Sequence, residues 1–329
     1  THCLSFIALL RVLIYGSPMR TASAIGFVAA AALSFCFPDF TVFRFAQAII
    51  WAIALIGLVL LCGASGQFSF AQAALYGMGG YTAAIVAAQM GGPGYLGLIL
   101  APFIGYAAGY GLGRVASGHS IWTQALVSYA LAIAFPQFLR WQPIEHITGG
   151  VRGLYLDAPP APFGFTPDRW VFLLALGLLG VGLLLADNIL RSRSGRALKA
   201  ARDDELAAAA QGIDVAHARS VASGLAGGYL ALAGCLAAFQ YGYVGPNAYN
   251  FALSVQMLFG LVIGGMHSLG GALLGAVFLK FFPDLVAPLG KGLSALLYAV
   301  LLIGAMIAMP NGIAGALTRL LKVRPARGA

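Results

Sequence analysis

Apolar runs, broken by short polar or Gly/Pro stretches, recur along the whole chain. They predict spans at roughly 22–38, 45–63, 68–90, 95–116, 121–139, 169–188, 218–239, 251–265, 268–282 and 292–309. Several exceed the ~18 apolar residues that a helix needs to cross ~30 Å of hydrocarbon. Only Gly264-Gly265-Met266-His267 divides 251–282. The pattern is that of an all-α, polytopic membrane protein with about ten transmembrane helices. Residues 1–20 form an N-terminal extension or peripheral helix. Residues 21–320 form the transmembrane domain, and 321–329 a basic tail.

A shift of 173 residues lays spans 45–63, 68–90, 95–116 and 121–139 over 218–236, 241–263, 268–289 and 294–312. It also brings Gly91–Gly97 (GGPGYLG) into register with Gly264–Gly270 (GGMHSLG). The matched spans run in opposite directions, so the pattern predicts inverted repeats at about 45–139 and 218–312, with a solute path between the halves. Ten spans with both termini cytoplasmic place twelve Lys/Arg residues inside and five outside, the expected bias. The loop 191–217 then lies inside and the loop 140–168 outside. At nearly thirty residues, the outer loop is long enough to be functional. It either docks an external partner or caps the bundle.

Only 9% of the residues are charged and 60% are hydrophobic, far from the composition of soluble domains. The 44 glycines suit membrane helices that pack backbone to backbone. A net charge of +9 does not indicate nucleic acid, because basic residues in inner loops account for it. The cysteines at 3, 36, 62 and 235 stand singly in apolar segments and read as small hydrophobes. No motif for catalysis, metal or ATP is present: the histidines are scattered, and Pro288–Gly292 (PLGKG) lacks the glycine and Ser/Thr of a phosphate loop.

Two stretches depart from the apolar pattern. Gly66–Ala84 (GQFSFAQAALYGMGGYTAA) opens with Gln67, Ser69 and Gln72 and continues to Tyr76. The spacing gives a polar stripe on one helix face, read either as interhelical hydrogen bonding or as the wall of a path. Ser194–Val215 (SGRALKAARDDELAAAAQGIDV) gathers seven charged side chains in an alanine-rich segment. Ser194 is placed to cap a helix over 195–201, and Asp203 a second over 204–211, with acids in its first turn. Gly212 ends the second helix, and Asp214 caps the following span. Leu206, Ala209 and Ala210 form a small apolar face suited to a groove on a partner.

These stretches, with Ile147–Leu154 (ITGGVRGL), GGMHSLGGALLGAVFL from Gly264 and YAVLLIGAMIAMPNGIAG from Tyr298, resemble the permease subunits of branched-chain amino-acid ABC importers, of the LivM type. Gly118-His119-Ser120 and Gln72 depart from the usual pattern of that family. The resemblance implies a type II-like importer fold in a bacterial inner membrane. It implies a second homologous permease, two cytoplasmic ATPase subunits that carry ATP and Mg, and a periplasmic solute-binding protein, with no cofactor on this chain. It also implies a solute path near Gln67, Ser69, Gln72, Tyr76, Thr148 and Gly149. Coupling to the ATPases falls to Gly195, Arg196, Arg202, Asp203, Asp204, Glu205 and Gly212. The competing reading is an ion-coupled secondary transporter, which would need buried acids that the spans lack.

Overall fold

The computed structural model describes residues 37–89, 94–116, 121–156, 159, 165–286, 304 and 312–316. Spans 22–38 and 292–309, the N-terminal extension, the basic tail, Cys3 and Cys36 lie wholly or almost wholly outside these residues. Among the described residues the following helices succeed one another up to residue 286. They are α1 (Asp39–Leu58), α2 (Gln72–Ala84), α3 (Gly94–Ala116), α4 (Ile121–Leu139), α5 (Glu145–Thr148), α6 (Pro167–Arg191), α7 (Arg193–Asp203), α8 (Glu205–Ala210), α9 (Val215–Tyr241), α10 (Phe251–Gly264) and α11 (Leu269–Val286). Turns of π-helix extend α1 over Val59–Ala64 and α2 over Ile85–Gln89. Among the described residues, five helical segments are long and apolar enough to cross a membrane: Asp39–Ala64, Gly94–Ala116, Pro167–Arg191, Val215–Tyr241 and Pro246–Gly264.

α1 and α9 form the centre of the bundle. Burial covers 83% and 72% of their apolar windows against 28% for α3, which therefore lies at the rim. The two are antiparallel, since Gln47 reaches Tyr241 while Gly57 lies against Ala226 and Tyr229. Small residues set the closeness of the next contact. Gly97, Ala101, Gly105, Gly109 and Gly113 recur every four residues along α3 and are all buried. Gly105 and Gly227 face each other so closely that a Cβ on either would sit 2.3 or 2.2 Å from the other's carbonyl oxygen. Without a hydrophobic force between helices in lipid, such backbone contact supplies the dispersion energy of association.

α9 packs on α3 and α1 on α11, while α2 packs on α3 and α10 on α11. Each central helix thus leans on the helix that the 173-residue shift assigns to the opposite half. A short antiparallel pairing, Leu154↔Val244 and Tyr155↔Tyr243, ties the loop after α5 to the loop after α9. It adds two-residue strands to a fold read from sequence as wholly helical.

Candidate functional site

The charged segment folds as two helices packed under one end of the bundle. Ser192, not Ser194, caps α7, its hydroxyl accepting from the Gly195 amide, so the helix spans Arg193–Asp203. Gly195 sits where a Cβ would lie 2.3 Å from the Ile189 carbonyl oxygen, and the close turn between α6 and α7 requires glycine there. Arg196 donates to the Arg191 carbonyl at 3.0 Å. The second cap is also displaced. Asp204, not Asp203, accepts from the Ala207 amide at 3.0 Å, because Asp203 is taken up by the Arg202 guanidinium at 2.8 Å. Gly212 adopts φ 80° after α8, and Asp214 caps α9 through the His217 amide. Ala208 packs with Ala201 and Val215, which turns Leu206 outward at 83% exposure beside exposed Ala209 and Ala210.

Two side chains join this segment to the membrane helices. Arg202 Nη1 donates at 2.7 Å to the carbonyl of Gly63, inside the π-helical end of α1. A turn of this kind leaves carbonyls without regular partners and is frequent at functional sites. Glu205 pairs with Arg219, on the first turns of α9, at 3.0 Å.

Between α1 and α2 the backbone leaves the helix over residues 66–71. Side chains of other helices meet one amide in the break and one in the first turn of α2. Phe70 N donates to Ser128 Oγ of α4 at 3.0 Å, and Ala73 N donates to Ser254 Oγ of α10 at 2.9 Å. Irregular backbone among membrane helices survives only when its polar groups are satisfied in this way.

Gln67 is the hub of that break, and only 2% of it is exposed. Its Nε2 donates to Ser65 Oγ at 3.0 Å and to the Arg219 carbonyl at 2.9 Å. Its Oε1 accepts from Gln124 Nε2 at 2.6 Å and from Ser223 Oγ at 3.3 Å. An amide has two donor hydrogens and two acceptor sites, so Gln67 is saturated. Arg219 therefore meets the charged segment with its side chain and the hub with its backbone. Gln124, Ser223 and Arg219 had no signal in the local sequence, since their contact with Gln67 depends on how distant helices pack.

The other path candidates fall in two places. Ser69 lies in the break, where its hydroxyl accepts from the Ala71 amide and its carbonyl from Gln72 Nε2. Gln72 opens α2 and its Oε1 is buried without a partner, while Tyr76 one turn on packs against Tyr249. Ser69 thus does not extend a helical stripe with Gln72 and Tyr76, because the helix begins only at Gln72. Thr148 and Gly149 lie at the opposite end of the bundle. Thr148 Oγ1 donates to Leu139 O at 2.7 Å and accepts from the Gly150 amide. Gly149 adopts φ 70° within 2.1 Å, measured from its ideal Cβ position, of the Gly153 oxygen. Both residues shape the loop that pairs with Tyr243–Val244.

Among the described residues no three His, Cys, Asp or Glu side chains gather as metal ligands, and Cys62 and Cys235 are buried and unpaired. The site is a polar break in an apolar bundle, connected to an exposed helical knob.

Comparison with known proteins fits this arrangement. The family model described as branched-chain amino acid transport system / permease component matches residues 40–310. The high-affinity branched-chain amino acid transport system permease protein LivM of Salmonella typhimurium is 27% identical over 295 residues, covering 80% of this chain and 67% of the relative. LivH of Escherichia coli K12, a permease protein of the same system, is 27% identical over 287 residues, covering 80% of this chain and 91% of its own. The autoinducer 2 import system permease protein LsrC of Klebsiella pneumoniae is 35% identical over 148 residues, covering 44% of this chain and 40% of its own. No solved structure matches the chain.

Proposed function

Because the chain belongs to the family of branched-chain amino acid transport system permease components, we propose that it is the membrane permease of an ABC importer for a small solute, an amino acid or related compound. The observation that carries the mechanism is the double attachment of the charged segment to the hinge, through Arg202 to Gly63 and through Glu205 to Arg219. A chain with no ATP motif needs a rigid part on which ATPase subunits push. α8 supplies it, with Leu206 as the apolar contact and the surrounding charges fixing register.

In this account two cytoplasmic ATPases bind ATP and Mg, and their closure displaces α7 and α8. Arg202 and Arg219 carry the displacement to the π-helical turn and to the Gln67 hub. The hinge between α1 and α2 shifts, and α2 turns relative to α9. Gln72, with an acceptor left unpaired, and Tyr76 are the path-facing groups. Gln67 and Ser69 serve the hinge instead, because their polar groups are bonded within the protein. Thr148 and Gly149 hold the outer loop against which a periplasmic binding protein docks. The reciprocal packing of α1 on α11 and α9 on α3 supports an inverted repeat; the reading adds ten spans in a bacterial inner membrane, with both termini inside. A second, homologous permease completes the path.

Proteoliposomes test the class. Uptake is expected only when the chain is assembled with a second permease, ATPases, a binding protein and ATP. Solute uptake by the chain alone, driven by an ion gradient, would refute the proposal.

A further inference from the structure

At the end of the bundle opposite the charged segment, the first turns of α1 and the last turns of α11 flank an open cleft of about 320 Å³. It is lined by Phe40, Phe43, Arg44, Gln47, Lys280 and Asp284. Arg44 Nη2 lies 2.7 Å and Lys280 Nζ 3.6 Å from the same carboxylate oxygen, Asp284 Oδ2. Two cations thus share one acid, and the cleft keeps a net positive charge. The Arg44 guanidinium lies over the Phe40 and Phe281 rings, 5.9 and 5.2 Å from their centroids, and this fixes its plane.

Two groups in the cleft are buried and unpaired: Arg44 Nε, a donor, and Gln47 Oε1, an acceptor. Gln47 is 6% exposed; with its Nε2 assigned as donor to Tyr241 Oη at 3.1 Å, its Oε1 is the amide atom left without a partner. Buried polar atoms of this kind normally have partners. The vacancies call for a ligand that brings an anionic oxygen to Arg44 and Lys280 and an N–H or O–H donor to Gln47 Oε1 and Asp284.

The location selects among such ligands. The cleft opens at the end of apolar helices, where a bilayer presents its headgroups. Phe40, 72% exposed at its rim, offers an apolar surface for acyl chains. We propose that the cleft binds the headgroup of a phospholipid that carries a hydrogen-bond donor beside its phosphodiester, such as an ethanolamine or glycerol head. The phosphate sits against Arg44 and Lys280, and the donor reaches Gln47 and Asp284. This assignment needs only that the chain spans a membrane, not that it imports any particular solute.

The test uses the purified full chain in detergent, with lipid binding read by native mass spectrometry and by thermal unfolding. Phosphatidylethanolamine and phosphatidylglycerol are expected to bind and stabilise, and phosphatidylcholine, whose headgroup has no N–H or O–H, to bind at least about fivefold more weakly. Lys280→Ala should weaken both favoured lipids by about fivefold. Gln47→Leu should reduce the preference over phosphatidylcholine while leaving the chain folded. Soluble glycerophosphoethanolamine should not compete at the concentrations at which the lipid saturates. Equal binding of phosphatidylcholine, an unchanged preference in Gln47→Leu, or full competition by the soluble headgroup would each overturn the proposal. The comparison of lipids on the unaltered chain decides the matter even if a variant fails to fold.

Discussion

Gly109 and Gly111 stand two residues apart on α3, yet their surroundings are opposite. A Cβ on Gly109 would lie 2.3 Å from the Ser223 carbonyl oxygen and 3.2 Å from the Gly227 Cα. A Cβ on Gly111 meets nothing within 4 Å among the described residues. Glycine to alanine within a helix contributes about 0.5–1 kcal/mol of stability through lost backbone freedom, at either position. At Gly109 the helices must also separate by about 1 Å to restore ordinary contact, and overpacking of this kind costs about 1–3 kcal/mol. Because the propensity gain is common to both, Gly109→Ala should be less stable than Gly111→Ala by about 1–3 kcal/mol. The difference can be read from reversible unfolding of the two purified variants in mixed micelles. Equal unfolding free energies would show that α3 and α9 do not meet through this stripe, and the packing account would fall with it.

Other consequences are as specific. Gln67→Leu leaves Gln124 and the Arg219 carbonyl without their partner, at a cost of about 1–3 kcal/mol, measurable in the same unfolding assay. Leu206→Asp should change stability by no more than about 0.5 kcal/mol, since the side chain is exposed, while abolishing co-purification of the ATPase subunits. Gly149→Ala forces a side chain into left-handed backbone against the Gly153 oxygen. It should open the loop after α5 to limited proteolysis without affecting the charged segment.

Much of this arrangement was legible because its determinants are local. The Asp214 cap and the Gly212 terminus need only neighbours in sequence, and the structure has both. The caps of α7 and α8 were misplaced by two residues and by one. Ser192 and Ser194 are equivalent candidates until the Gly195 turn against Ile189 chooses between them, and Asp203 is removed from the choice by Arg202. The π-helical turn at Val59–Ala64 has no polar punctuation to announce it. The strand pairing at Leu154 and Tyr155 is too short to show alternation. Gln67 was picked out as a polar residue in a span, but its saturation by Gln124, Ser223 and Arg219 is a product of tertiary packing. In the proposed mechanism that saturation assigns Gln67 to the hinge.

In the proposed mechanism the charged segment transmits force to the hinge. Charge reversal at Asp204 would unmake the α8 cap as well as any contact with a partner, so it confounds folding with coupling. The Glu205–Arg219 pair is cleaner, because it is half exposed on the acid side and so contributes only about 0.2–1 kcal/mol to stability. The decisive measurement is solute taken up per ATP hydrolysed in proteoliposomes holding the complete importer, for Glu205→Arg, Arg219→Glu and the double exchange. Each single variant should lower the ratio about fivefold or more, as a lost coupling of ~1 kcal/mol would, and the exchange should restore it. A ratio unchanged in both single variants would contradict that mechanism.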